Sequence, residues 1–195
     1  VGTGLNAHPR YADKIVEEIN RETGLRFRKA ENFFEAMQSK DAAVEFSGAL
    51  KTIAVSFMKI ANDLRLLYSG PRTGFYEIDL PAIQPGSSIM PGKINPVIPE
   101  AVNMVAAKII GNDATITIAG LNGNLELNVM MPVIAYTLLE SIEITANTSG
   151  VFAQKCVDGI KARSEACLNY AEETVALITV LAPAIGYDNA AKVAK

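Results

Sequence analysis

A chain of 195 residues that is 49% apolar and 20% charged has the make-up of a soluble globular domain, with length for one generous core. Its net charge of −3 gives no electrostatic attraction to nucleic acid or anionic membrane, so a site for a small anion would need its positive charge gathered in one pocket. Cys156 and Cys167, the two cysteines, make neither a disulfide framework nor a zinc site, and read as reduced thiols of a cytosol-type compartment.

The first six residues are glycine-rich and lack the basic-then-apolar order of a signal peptide. Pro9 opens a predicted helix to about Glu22, with Ile15, Val16 and Ile19 on one face and Gly24 as its stop. A short helix is expected over 30–38, where Phe33, Phe34 and Met37 share a stripe. The first long helix is predicted over 41–68, capped by Asp41 and stopped by Ser69-Gly-Pro71. Val44, Leu50, Ala54, Phe57, Ala61 and Leu64 recur along it at helical spacing.

From 72 to 96 the prolines and glycines exclude a helix and predict a loop, with a strand near 76–80. A second long helix is expected from Val97 or Pro99 to about Ala119. A third runs from Leu125 to about Phe152, with Pro132 as a kink. No apolar run reaches the roughly eighteen residues of a membrane span, because Lys, Asn, Asp and Glu interrupt each one. Beyond 158 the pattern turns to short helices over 164–172, 174–181 and from 188 on, separated by Gly159, Pro183 and Gly186. The expected organisation is all-α: residues 1–156 as part of a long-helix bundle, and 157–195 as the start of a small C-terminal helical domain. Val102, Met104, Val105, Ile109 and Ile110 cannot all point inward in one chain, which predicts oligomerisation through the bundle. Both ends of the sequence look cut from something longer.

The stretch with most chemistry is Gly86-Ser-Ser-Ile-Met-Pro-Gly-Lys-Ile-Asn95. Its glycines and prolines form a constrained loop able to present backbone N–H groups. Those amides, with Lys93 and Asn95, form a candidate oxyanion site. Read on composition alone, a Ser-rich loop with one lysine is better taken as an ordinary surface linker whose serines only make local turns. His8, the sole histidine, reads as a loop or helix-start residue, and Met90 as a filler of the gap beneath the loop. The acids are scattered without metal-ligand spacing, and no phosphate loop or dinucleotide fingerprint is present, so no metal or cofactor is expected.

That loop matches Gly-Ser-Ser-x-x-Pro-x-Lys-x-Asn at every fixed position. The sequence thereby resembles the fumarase/aspartase superfamily, and class II fumarases in particular. Gly2-Thr-Gly-Leu-Asn6, Lys59-Ile-Ala-Asn-Asp-Leu-Arg65, Ser69-Gly-Pro-Arg72, Gly111-Asn-Asp113, Leu125-Glu-Leu-Asn-Val129 and Ile185-Gly-Tyr-Asp188 carry the resemblance along most of the chain. It implies a homotetramer with a shared helical bundle and active sites built from three subunits. It also implies trans addition–elimination on a C4 dicarboxylate through an aci-carboxylate intermediate. Ser87 would be the base, its alkoxide stabilised by loop amides and nearby charge. Ser88, Lys93 and Asn95 would bind substrate. Glu100 would pair with a histidine from another subunit, although a first-turn acid is also favoured by the helix dipole alone. Gly86 and Gly92 are the expected hinges of a closing loop.

Asn124 and Ile185-Gly-Tyr-Asp188 lean towards fumarase. Val97-Ile-Pro-Glu100 and Val129-Met-Met-Pro132 lean towards aspartase, which stays as the alternative. A third alternative is a catalytically incomplete structural fragment, since the catalytic histidine and the Ser-Ser-Asn-type loop implied by the resemblance are expected before Val1.

Overall fold

The computed structural model describes residues 2–194. Eight α-helices dominate the described residues: α1 (Tyr11–Thr23), α2 (Phe33–Gln38), α3 (Asp41–Leu67), α4 (Val97–Leu121), α5 (Met131–Lys155), α6 (Ser164–Glu173), α7 (Ile178–Ile185) and α8 (Tyr187–Val193). Two short strands, β1 (Ile78–Asp79) and β2 (Lys161–Ala162), pair antiparallel with Ile78 opposite Ala162. The all-α expectation holds. At 27 residues α3 is about 40 Å long.

The helix ends explain where the sequence reading was right and where it slipped. Gly24 adopts the left-handed conformation, with φ of 68°, and donates to the Asn20 carbonyl, so α1 stops there. The α1 start is later than Pro9 because Pro9 lies in a turn, which His8 closes by accepting from the Arg10 N–H at its Nδ1. α2 begins only at Phe33. Asn32 accepts from the N–H groups of Phe34 and Glu35 and is its cap. Asp41 is the first residue of α3 and not its cap; the Ser39 hydroxyl accepts from the Asp41 N–H. Pro132 does not kink α5. It is the second residue of that helix, where its missing N–H costs no intrahelical bond. Residues 124–127 before it form a tight turn. Pro183 does not divide two helices either, since α7 runs through it. The expected strand near 76–80 shrinks to β1, and its partner β2 lies 83 residues further on.

The contacts divide the chain into two compact units, one comprising the chain up to Ala54 with Ala107–Thr145, the other Val55–Ala106 with the chain from Ala146 on. In the first unit Ile116, Ala119 and Ile134 form an apolar cluster supported by Ala43, Val44, Met130, Val133 and Leu138. Asn128 is buried beside it. Its carboxamide donates to the Ala119 and Gly120 carbonyls at 3.0 and 3.3 Å and accepts from the Met130 N–H at 2.8 Å. One side chain thus satisfies the end of α4 and the approach to α5. The same unit holds polar pairs between long helices. Asp113 accepts from the Ser47 hydroxyl at 2.8 Å and from Lys51 at 2.6 Å. Asn112 donates to Glu140 and Ser141. Glu140 also meets Lys108 at 3.0 Å, and the bonds from Lys108 and then Asn112 hold its carboxyl below the ordinary carboxylate range.

In the second unit Ala61, Val102, Phe152 and Cys156 are buried together, with Phe57, Leu64, Leu80 and Ile98 packed against them. Burial raises the Cys156 thiol above its usual range, and both cysteines are free thiols. A clasp ties β1 to the residues after β2. Arg163 donates through Nε and Nη2 to Asp79 at 3.0 and 2.9 Å and also reaches the Tyr76 hydroxyl, while its backbone N–H meets the Glu77 carbonyl.

By length and average apolar character α4 reaches the size of a membrane span, although Lys108, Asn112 and Asp113 interrupt its apolar run as the sequence reading had it. Its Asn112 and Asp113 are buried in side-chain bonds to α3 and α5, the arrangement of a bundle helix. Val102 and Ile109 are buried whereas Met104 and Ile110 are exposed, as the all-round apolar pattern required.

Candidate active site

The loop between β1 and α4 is held at both stems. Leu80 before it and Ile98 after it pack against the same buried cluster of the second unit. Pro81 lies so close to Gly159 that any Cβ there would meet the proline ring at 2.4 Å. Pro99, just after the loop, is fully buried in the first turn of α4. The loop tip is therefore carried on a fixed base.

Within the tip, Gly86 is bonded on both sides of its α-carbon. Its N–H donates to the Lys93 carbonyl at 2.7 Å, and its carbonyl accepts from the Asn95 carboxamide at 3.1 Å. A side chain at 86 would strike Lys93 O at 2.7 Å and Asn95 N at 2.8 Å, so only glycine lets the two strands of the loop close. Gly92 takes φ of 76°, the left-handed turn that returns the chain. These contacts close 86–93 into a small ring.

Inside that ring the Ser87 hydroxyl oxygen accepts from two backbone N–H groups, those of Ile89 at 3.1 Å and Met90 at 3.0 Å. Two amide dipoles aimed at one oxygen favour negative charge on it. Ser87 and Asn95 are half-buried, while Ser88 and Lys93 are exposed. Ser87, Gly92, Lys93 and Ile94 border an open concavity of about 400 Å³, walled on its other side by Ile83 and Pro85. Lys93 has no ion-pair partner among the described residues, which leaves its ammonium available to an anion.

Glu100 sits in the first turn of α4, half-buried, its N–H on the Pro96 carbonyl. The fold thus gathers Ser87, Lys93 and Asn95 into one ring and places Glu100 just past its base. Met90 does not fill a gap beneath the loop. It is 52% exposed, because its backbone and not its side chain is what the ring uses. The amides of Ile89 and Met90 are the site groups that residue-by-residue reading left unassigned; a serine two and three residues before them in a Gly/Pro loop was the available signal. Among the described residues no group of three His, Cys, Asp or Glu could hold a metal ion.

Long helices with a serine loop closed at Gly86 between two of them are the frame of this site, and that frame is found in a family of lyases. The chain belongs to the lyase family, whose model matches residues 1–111. It is 53% identical to fumarate hydratase class II 2 of Pseudomonas aeruginosa over 195 residues, which is all of this chain and 43% of that protein. Among solved structures it is similar to a class II fumarase from Schistosoma mansoni, at 39% identity and a TM-score of 0.93. That match covers all of this chain and 44% of the fumarase chain. It is also similar to a fumarate lyase:delta crystallin from Brucella melitensis, at 49% identity and a TM-score of 0.90 over all of this chain and 42% of that one. The chain therefore spans less than half the length of the relatives it matches.

Proposed function

We propose that this chain supplies one wall of the active site of a class II fumarate hydratase, which adds water reversibly to fumarate to give malate. The observation that carries the reading is the pair of amides on the Ser87 oxygen, at 3.1 and 3.0 Å. An unaided serine hydroxyl is far too weak an acid to act as a base. Two N–H donors and a nearby ammonium lower the cost of its alkoxide. Ser87 then takes the C3 proton of malate in the dehydration direction. Lys93, Asn95 and Ser88 hold the adjacent carboxylate, where charge grows as the aci-carboxylate forms. Glu100 orients a histidine contributed by another subunit.

Residues 1–156 are read as part of the central bundle of that enzyme and 157–195 as the start of a further helical domain. The assembly is a homotetramer, supported by the exposed apolar residues on α3, α4 and α5, among them Phe46, Met104 and Leu139. Its setting is cytoplasmic, and the substrate is a C4 dicarboxylate.

Aspartate ammonia-lyase is the second reading, favoured by Met130 and Met131 where fumarases often carry an aromatic and a basic residue. Both enzymes make fumarate, so the absorbance of its double bond follows either. The full-length protein bearing this sequence is expected to raise that absorbance with malate and not with aspartate. Fumarate formed from aspartate alone would replace the first reading by the second.

A further inference from the structure

The serine loop hangs between two stems of unequal strength. The trailing stem is α4, entered through Ile98 at the apolar cluster and Pro99, which is fully buried. The leading stem is β1, two residues long, laddered to the two residues of β2. A two-stranded ladder is marginal by itself even when longer.

Arg163 is what holds the leading stem. Its Nε and Nη2 donate to one oxygen of Asp79 at 3.0 and 2.9 Å. Nη2 also donates to the Tyr76 hydroxyl, and the guanidinium lies over the Tyr76 ring, 3.7 Å from its centroid. The Arg163 N–H donates to the Glu77 carbonyl at 2.8 Å. One residue thus grips 76, 77 and 79.

Tyr76 is gripped in an unusual conformation. Its φ is 51°, a left-handed setting that a bulky side chain keeps only where its surroundings impose it. The Tyr76 N–H meets the Ser69 carbonyl at 2.7 Å, and the Glu77 N–H meets the Leu67 carbonyl at 2.9 Å. The turn into β1 is therefore braced by the end of α3 on one side and by Arg163 on the other.

Stability does not account for this grip. The Arg163 and Asp79 side chains are 37% and 41% exposed, and an ion pair that open contributes little to folding. What the guanidinium fork supplies is direction as well as distance. From Asp79 that direction passes into the loop. Leu80 joins the apolar cluster, Pro81 lies against Gly159, and Pro85 leads to Gly86, whose bonds to Lys93 and Asn95 close the ring. A slip of the leading stem would leave those bonds, and the two amides on Ser87, intact. It would move the ring as a whole against α4 and Glu100.

We propose that Arg163 is a positioning residue for the serine loop: through Asp79 and Tyr76 it holds the leading stem, so that Ser87 is presented at a fixed place relative to α4. This rests on the reading of Ser87 as the base and adds the residue that aims it. The test uses the full-length protein bearing this sequence, with malate as substrate and hydrogen exchange of peptides over 80–96 read beside those over 107–121. Arg163→Ala is expected to lower kcat about tenfold while KM moves less than about threefold, because Ser87, Lys93 and Asn95 keep their own bonds and only their aim is lost. Exchange over 80–96 is expected to rise about tenfold, with 107–121 unchanged. Arg163→Lys keeps the charge without the fork; it should show the same split at about threefold, and it carries the test where the alanine variant does not fold. Asp79→Ala should match Arg163→Ala, and the double variant should lose no more than either, because both break one clasp. A normal kcat, or a loss of rate without faster exchange in the loop, overturns the positioning. Ser87→Ala in the same assay tells the two readings apart. A crippled Ser87→Ala beside a normal Arg163→Ala sinks the positioning alone, whereas near-normal turnover by Ser87→Ala sinks the base reading and the positioning with it.

Discussion

Ser87 is half-buried, and its oxygen accepts two backbone N–H bonds. A serine that merely shaped a turn would show the same bonds, so the distinguishing property is what its removal does to turnover. As a base, Ser87 acts on the proton in flight and adds little to ground-state binding. In the full-length protein Ser87→Ala is expected to lower kcat about a hundredfold or more, the usual contribution of a positioned base. KM should move by no more than a few-fold, because Lys93 and Asn95 remain. Steady-state assays with malate measure both. A variant with near-normal kcat removes Ser87 from the proton transfer. A variant that loses only KM makes it a binding group.

At the scale of elements, Asn128 ties three of them together. Its carboxamide bonds the last carbonyls of α4 and the Met130 N–H before α5, and its own N–H meets Met37 at the end of α2. Asn128→Ala leaves those buried groups unsatisfied and is expected to destabilise the chain by about 2–3 kcal/mol, each lost partner costing ~1 kcal/mol or more. Urea unfolding should show a lower midpoint at unchanged slope; a slope change instead would mean that the unit opens separately. This junction also shows what the sequence made legible. The helical period fixed α3, α4 and α5 to within a few residues, except that α5 begins at Met131 and not Leu125. The error has a physical cause: Leu125 to Val129 has an apolar pattern a helix could use, but Asn128 bonds the neighbouring chain ends in preference to its own turn. Asn32, likewise, was hidden as a cap because Ala30 and Glu31 before it are good helix formers. The 86–95 ring was legible in its residues and not in its closure. Lys93 O and Asn95 Nδ2 meet Gly86 only because Leu80 and Ile98 are pinned to one cluster, and that requires the folded unit. The Arg163–Asp79 clasp joins residues 84 positions apart and leaves no local signal at all.

Taken whole, the chain spans less than half the length of the relatives it matches, and the proposed site is a single wall among the described residues. The sequence holds a single histidine, His8, and the structure engages it in the turn before α1 through the Arg10 N–H. Among the described residues Glu100 has no hydrogen-bonded partner for its carboxylate, and the concavity beside Ser87 and Lys93 stands open on the surface. Proton transfer by an alkoxide needs water excluded and a second group to supply or receive the other proton. An exposed serine ring with one lysine can bind an anion weakly without turning it over. The isolated 195-residue chain is therefore expected to convert malate or fumarate no faster than the same assay without protein, while the full-length protein bearing this sequence turns over. Restoring activity by mixing the chain with a separately made remainder of the full-length protein would place the missing groups there, and Ser87→Ala in the chain should abolish that restoration. Substantial turnover by the purified chain alone would mean that the ring, with groups already present in these residues, is sufficient for the chemistry, and would overturn the proposed division of the site among subunits.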